Sequence, residues 1–409
     1  MKKACLFLAL VFLSAFGMTL FSGNPEIIQK TTDPKQISEN NNIFMMNAYK
    51  LLTEKDDNIF ISPYSITSAL AMTYAGSANK TETEMGKALK FTGNSINFHE
   101  NFGKITQSIN EISKKGNIEL TVANSLWLAD GYKFLDEFLR INKTFYKTET
   151  TNLNFAESEK SRKIINDWVS EKTKDKIKDL IPKGILDALT KLVLTNAVYF
   201  KAEWAEQFKK SGTKESEFYT SADNSVKAEL MNLKHNFNYM ENMELQFIEM
   251  PYKGNEASMY ILLPKERDGL RDIEKKITYQ DIIKYTESLQ TKKVDVFFPK
   301  FKMSLSYELR ELMGKLGMKE AFNKKADFSK MTGKTDLYIS AIIHKTFIAV
   351  DETGTEAAAA TAVVMRMKSA MPNPDFATFR ADHPFFYFIK EKVNGTILFA
   401  GRVVDPSKK

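Results

Sequence analysis

Near its C-terminus the chain reads Glu352-Thr353-Gly354-Thr355-Glu356-Ala357-Ala358-Ala359-Ala360-Thr361, a stretch with conflicting structural preferences. The four alanines and the glutamate favour a helix, whereas Thr361 and the valines after it favour a strand, and Gly354 supplies a hinge. As a strand, the stretch would present only small side chains on one face, namely Thr355, Ala357, Ala359, Thr361 and Val363. Such a face can enter a packed sheet without overfilling it, which suits an element with two states. An alanine-rich surface helix is the alternative interpretation.

A second block follows and reads Phe379-Arg380-Ala381-Asp382-His383-Pro384-Phe385-Phe386-Tyr387-Phe388-Ile389. The two blocks together resemble the hinge and the C-terminal signature of the serpin family. Further matches occur in the same order along almost the whole chain: Asn58, Ser62, Pro63, Ser65, Leu70, Gly76, Ala123–Trp127, Asn166, Trp168, Val169, Thr195–Trp204, Ser340, His344, Lys345, Gly401–Val403 and Pro406. On these residues the chain is identified as a member of that family.

This resemblance implies an α+β fold with three β-sheets, about nine helices and an exposed reactive-centre loop over about 352–378. The order of elements agrees, because helical patterns dominate the first half of the chain and strand patterns the second. In inhibitory serpins the loop is bait for a protease, and after acylation the cleaved loop inserts into the central sheet and distorts the enzyme. The alternative is a non-inhibitory member acting as a chaperone or carrier. Against it, Thr353 to Val364 contains no proline and no charge except Glu356.

The resemblance also implies the roles of individual residues. It places the hinge at Glu352, Gly354, Thr355, Glu356, Ala357, Ala358, Ala359, Ala360 and Thr361. Residues beneath or beside the opening sheet would be Ser62, Asn196, Trp204, Thr213 and His344. Ordinary core packing is the alternative role for this second group.

The position of the bait bond depends on the end of the loop from which it is counted. About sixteen positions after Glu352 stands Lys368, followed by Ser369, whereas counting back about eleven from Pro384 gives Asn373. We prefer Lys368–Ser369, because the hinge side sets the length that inserts, and we keep Arg366–Met367 as second choice. A lysine there predicts a trypsin-like target, whose specificity pocket ends in a carboxylate. A papain-like cysteine protease is the alternative target.

The N-terminus has the pattern of a secretory leader. Met1-Lys2-Lys3 precedes an uncharged apolar run over 4–21, which predicts a signal peptide over about 1–23 and a secreted protein. An uncleaved N-terminal membrane anchor is the alternative. The only cysteine, Cys5, lies inside this segment, so the mature chain would contain no disulfide. Without a linker or an internal repeat, residues 24–409 are expected to form a single domain.

Composition and motifs argue against other classes of function. Hydrophobic residues make up 43% and charged residues 27%, as in ordinary globular proteins, and a net charge of +7 is too dilute to predict nucleic-acid binding. The four histidines (His99, His235, His344 and His383) form no metal-binding pattern, and no GxSxG nucleophile motif occurs. We therefore expect no enzyme activity, metal or cofactor. The expected partner is a trypsin-like protease, bound covalently by a monomer in a 1:1 complex.

Overall fold

The computed structural model describes residues 33–148, 150–355 and 376–408. This part of the chain contains ten α-helices: α1 (Pro34–Leu52), α2 (Pro63–Tyr74), α3 (Asn79–Leu89), α4 (Ile96–Lys114), α5 (Asp136–Ile141), α6 (Ser158–Lys172), α7 (Leu270–Lys276), α8 (Tyr279–Glu287), α9 (Arg310–Lys315) and α10 (Ser329–Thr332). None of these helices combines the length and the apolar character needed to cross a membrane. The chain from Thr32 onward forms one compact unit.

The strands of the described residues form two hydrogen-bonded sheets. In chain order they are β1 (Ile59–Ile61), β2 (Ile118–Ala129), β3 (Thr150–Leu153), β4 (Leu192–Glu203), β5 (Lys214–Tyr219), β6 (Ser225–Glu241), β7 (Leu245–Pro251), β8 (Ala257–Pro264), β9 (Gln290–Pro299), β10 (Phe301–Glu308), β11 (Ile339–Val350), β12 (Gly354–Thr355), β13 (Ala377–Arg380), β14 (Phe385–Glu391) and β15 (Ile397–Val403). The smaller sheet has six strands in the order β10-β11-β12-β4-β2-β3. The larger has the order β1-β15-β14-β8-β7-β6-β9-β13, with β5 beside β6.

The long strand β6 explains why two sheets are present where the resemblance implies three. It has 17 residues, and its first part pairs with β5, its middle with β9 and its end with β7. The strands β9 and β13 on one side and β7, β8, β14, β15 and β1 on the other therefore belong to one sheet, because both groups pair with β6. The α+β class is confirmed, with helices concentrated before Lys172 and most strands after Leu192.

Local sequence signals correctly mark several element ends. Ser62 caps α2, since its hydroxyl accepts a hydrogen bond from the Ser65 amide, and Pro63 occupies the first turn, where a missing N–H costs nothing. Asn394-Gly395, a dipeptide typical of tight hairpin turns, lies in the connection from β14 to β15, with Gly395 at φ +76°. Each of these signals depends only on neighbouring residues, so it can be identified in the sequence without knowledge of the tertiary structure.

The core lies between the two sheets, and α2 runs through it with all twelve residues buried. A helix buried on every side has no face for solvent, and α2 accordingly contacts β2, β4 and β15. A second, smaller cluster lies on the other face of the six-stranded sheet, where Ile165 and Val169 of α6 pack with Trp127 and Val193. The central sheet is thus covered on both faces.

Candidate functional site

The two middle strands of the six-stranded sheet are in contact over part of their length and separated at one end. β4 and β11 pair in parallel from Ile339 opposite Leu192 to Phe347 opposite Tyr199. Beyond that point the two residues of β12 lie between them, antiparallel to both, with Thr355 opposite Ala202 on one side and Val350 on the other. The site is therefore a gap whose entrance already holds the beginning of a further strand.

Close backbone approach explains the glycine at the entrance. A Cβ atom on Gly354 would lie 2.0 Å from the carbonyl oxygen of Ala202 and 2.7 Å from the Cα of Glu203. Both distances are far inside van der Waals contact, and the atoms belong to backbone that cannot turn away. Gly354 is thus required by the contact of β12 with β4, whereas the sequence suggested only a hinge.

Glu352 fastens the hinge to the structure around it. Its Oε1 accepts a 2.7 Å hydrogen bond from the Thr213 hydroxyl, and its Oε2 lies 3.5 Å from the Lys300 ammonium. Burial raises the pKa of this carboxyl, but the Thr213 hydrogen bond and the Lys300 charge outweigh burial and hold the pKa below its usual value. The Glu352 carbonyl also accepts from the Phe208 amide at 2.9 Å. Glu352 is therefore an ionised anchor.

An aromatic pair supports the next residues of the hinge. The Trp204 indole donates to the Asp351 carbonyl at 3.0 Å, and its amide donates to the Thr353 carbonyl at 2.9 Å. The Trp204 ring stacks on Tyr252 with centroids 4.8 Å apart. The Tyr252 hydroxyl in turn lies 2.8 Å from Oγ1 of Thr355, which is fully buried. Trp204 and Tyr252 thus hold the hinge residues in place at the entrance of the gap.

A buried polar network lies under the parallel part of β4 and β11. His344 Nε2 accepts a 3.1 Å hydrogen bond from the Ser62 amide, so its Nδ1 carries the proton and donates to Oδ1 of Asn196. Burial lowers the pKa of His344 to about 3, which keeps the ring neutral. The Asn196 amide group donates to the Ser65 carbonyl at 2.8 Å and also contacts Asn124. The side-chain hydrogen bonds of Asn196 thus join β4 to β11, to α2 and to β2.

The outer face of the same strands is covered by α6 and the segment after it. Lys345 Nζ donates to the Lys178 carbonyl at 2.7 Å. Trp168 of α6 meets Trp127 edge to face, with centroids 5.6 Å apart. Any strand that enters the gap must therefore pass beneath this cover.

The structure brings most of the described candidate residues together in two places. Glu352, Gly354, Thr355, Trp204 and Thr213 meet at the entrance of the gap, and Ser62, Asn196 and His344 meet under its closed part. His344 is fully buried and has a hydrogen-bond partner at each ring nitrogen. The remaining candidates lie outside the described residues: the leader over 1–23, Glu356, Ala357, Ala358, Ala359, Ala360, Thr361, Arg366, Met367, Lys368 and Ser369.

Sequence reasoning missed three partners of these residues. Lys300 follows Pro299 at the end of β9, Tyr252 follows β7, and Asn124 lies in β2. Asn124 lies within Ala123–Trp127, one of the segments that resemble the serpin family, so the sequence could have indicated it as a partner of Asn196. Nothing near Lys300 or Tyr252 in the sequence indicates Glu352 or Thr355 as a partner. Among the described residues, no group of three or more His, Cys, Asp or Glu is placed to hold a metal ion.

Comparison with known proteins gives consistent matches. A family model described as "Serpin (serine protease inhibitor)" matches residues 39–406. A leukocyte elastase inhibitor of Bos taurus is 39% identical over 383 residues, covering 91% of this chain and all of that protein. Human Serpin B3 is 38% identical, covering 90% of this chain and 99% of its own. The crystal structure of Serpin48 from the insect Tenebrio molitor superposes with a TM-score of 0.80 at 33% identity, covering 94% of this chain and all of that one.

Proposed function

This chain belongs to the serpin family of serine protease inhibitors, and from that membership we propose that it is a secreted suicide inhibitor of trypsin-like serine endopeptidases. One observation carries the proposal: β12 occupies the mouth of the gap between β4 and β11 and is antiparallel to both. An antiparallel strand that continues from β12 would fill the gap. It would replace the single row of backbone hydrogen bonds between β4 and β11 by two rows.

The two pairing registers can be extended independently, and they agree. Thr355 lies opposite Ala202 in β4, so six residues further an inserted strand would place Thr361 opposite Asn196. Thr355 also lies opposite Val350 in β11, and six residues further Thr361 lies opposite His344. Directly opposite residues share a face of a sheet. The Thr361 hydroxyl would therefore enter the polar network between Asn196 and His344. This agreement supports the proposal that the loop inserts between β4 and β11.

The same register bears on the choice of bait bond. Ten residues beyond Thr355, Met365 would lie opposite Leu192, where β4 begins. Lys368 would then lie three residues past the end of β4, whereas Arg366 would lie one residue past it. A longer extension lets the linked protease clear the sheet while the whole strand inserts. This favours Lys368–Ser369 over Arg366–Met367.

The proposed chemistry uses the nucleophile of the protease. Its serine Oγ attacks the Lys368 carbonyl carbon, the bond to the Ser369 nitrogen breaks, and the catalytic histidine gives its proton to the leaving amine. An ester to Lys368 remains. Water would hydrolyse that ester in an ordinary turnover, whereas insertion of the loop distorts the enzyme first. The serpin itself supplies no catalytic group.

Secretion and stoichiometry belong to the same proposal. The basic start and the apolar run over 4–21 support a leader, and one reactive loop per chain supports a 1:1 covalent complex of a monomer. An exported protein without a cysteine after Cys5 depends on packing for its stability. We propose no cofactor.

The test is incubation of the mature protein with trypsin, followed by a denaturing gel and mass spectrometry. We expect a complex that survives denaturant and release of the peptide that begins at Ser369. Lys368→Ala should abolish the complex, and the matched variant Arg366→Ala should keep it. Cleavage without a complex would indicate a non-inhibitory serpin, and a released peptide beginning at Met367 would move the bait bond. A complex with papain but not trypsin would indicate the cysteine protease class.

A further inference from the structure

The strand that follows the reactive loop, β13, lies at one end of the larger sheet, beside β9 and then β6. β13 begins at Ala377 and pairs with β9, which pairs with β6. Val294 and Val296 of β9 are fully buried, so the residues that alternate with them face away from the core. The pairing registers place Lys234 of β6 and Arg380 of β13 on this outward face, together with Lys293 of β9.

Aromatic rings and cations are combined on this face. The ring of Phe376, the residue before β13, has the ammonium groups of Lys234 and Lys293 at 5.7 and 5.9 Å from its centroid. The Arg380 guanidinium lies 4.7 Å from the centroid of Phe297. Cations at such distances from a half-buried ring hold it in place while remaining open to solvent on their other side. We call these five residues the cation–aromatic face.

The positive charge of this face is only partly neutralised. Lys234 pairs with Asp295 at 3.0 Å, and Arg380 pairs with Asp382 at 2.8 Å. Lys293 is exposed, and among the described residues no carboxylate forms an ion pair with it. Within the described residues, the face therefore offers one unpaired ammonium group, that of Lys293, beside the apolar ring of Phe376, a combination that favours an acidic and partly apolar surface.

The position of the face decides which surface meets it. From Ser369 to Phe376 the chain can span at most about 28 Å, at roughly 3.5 Å per residue. A protease domain of about 220 residues is roughly 40 Å across. A protease seated on the bait bond is therefore wider than the tether that separates this bond from the face. The face is therefore within reach of a protease seated on the bait bond.

We propose that the cation–aromatic face is a second docking surface for the target protease, and that it selects targets with carboxylate side chains beside the active-site cleft. This inference rests on the proposed function, because it requires a protease bound at the loop. Charge at the edge of an interface acts mainly on the association rate. The face would therefore set how fast a protease is captured, while Lys368 sets which bond is cut.

The test compares anionic and cationic trypsin isoforms, which share a specificity pocket and differ in surface charge. The measured quantity is the second-order rate constant for consumption of the intact loop, in low salt and in about 0.5 M NaCl, where screening acts within a few ångströms. The variants are Lys293→Glu, which breaks no described ion pair, and Lys234→Gln/Lys293→Glu. The control is Lys87→Glu in α3, an exposed lysine whose reversal changes the net charge equally.

We expect the unmodified protein to react about tenfold faster with anionic trypsin in low salt. This preference should fall towards one in Lys293→Glu and in the double variant, persist in Lys87→Glu, and disappear in high salt. Equal preferences in Lys293→Glu and Lys87→Glu would overturn the proposal, as would an unmodified protein without any preference. A third result would also overturn it. If the unmodified protein reacts equally fast with both trypsins and binds a sulfated-polysaccharide resin, and if only Lys293→Glu fails to bind that resin, the face binds polyanions rather than a protease. Loop cleavage without a stable complex would refute inhibition, while the rate ratio would still test the face.

Discussion

Replacing Thr361 by valine tests the register of insertion, because the hydroxyl should matter only after the loop has entered the sheet. In the uncleaved structure His344 and Asn196 bond each other directly across adjacent strands. An inserted strand would move β4 and β11 from about 4.8 Å to about 9.6 Å apart, which no direct bond between the two side chains can span. The Thr361 hydroxyl has one donor and two acceptor positions, so it can accept from His344 and donate to Asn196.

The expected magnitude follows from the two groups that valine would leave without a partner. A buried polar group that loses its partner costs about 1–3 kcal/mol, so Thr361→Val should destabilise the cleaved, inserted form by about 2–6 kcal/mol. The uncleaved form should unfold as the unmodified protein does. Guanidinium unfolding of both proteins, before and after cleavage of the loop, measures the two differences.

A matched variant separates this effect from loss of any threonine hydroxyl. Thr355→Val removes the hydroxyl that faces Tyr252 in the uncleaved structure, so it should destabilise both forms. Equal stability of cleaved Thr361→Val and cleaved unmodified protein would refute the register. A loss confined to the uncleaved Thr361→Val protein would refute it as well.

Three further predictions concern the entrance of the gap. Gly354→Ala should expel β12, because the new Cβ would overlap the Ala202 carbonyl at 2.0 Å; hydrogen exchange at the Trp204 amide should then rise, and unchanged protection would contradict this account. Glu352→Gln should flatten the acid limb of the stability curve. The Glu352 pKa lies below its unfolded value, so the carboxylate stabilises the fold above the unfolded pKa and this contribution is lost as pH falls through the folded pKa. Thermal midpoints between about pH 3 and pH 6 measure the difference, and parallel curves for the two proteins would argue against the anchor. Thr355→Arg should convert the inhibitor into a substrate, because an unpaired buried charge costs about 3–5 kcal/mol; an unchanged stoichiometry of inhibition would exclude insertion past this position.

Much of the site could be predicted from residues that are close together in the chain. The small side chains after Gly354 indicated a segment able to enter a sheet, and Ser62-Pro63 indicated the start of α2. Val294, Val296 and Phe298 alternate with less buried residues, which is the local pattern of a half-buried strand, and β9 ends at Pro299. Each of these signals has a local cause: a cap, a turn or a period of two. Resemblance to a family added the order of these elements and the polar residues beneath the sheet.

Contacts between distant residues depend on how the whole chain packs. Glu352 finds Thr213 and Lys300, and Thr355 finds Tyr252, across separations of fifty to more than a hundred residues. Such partners depend on how whole strands pack, and the local pattern of a strand is the same whichever neighbour it pairs with. The joining of two groups of strands through β6, and the pairing of Lys293 with Phe376, have the same origin. The local sequence therefore limits which secondary structure each segment can adopt. The packing of the strands determined where the gap opens and which groups line it, because strand pairing is a property of the whole fold.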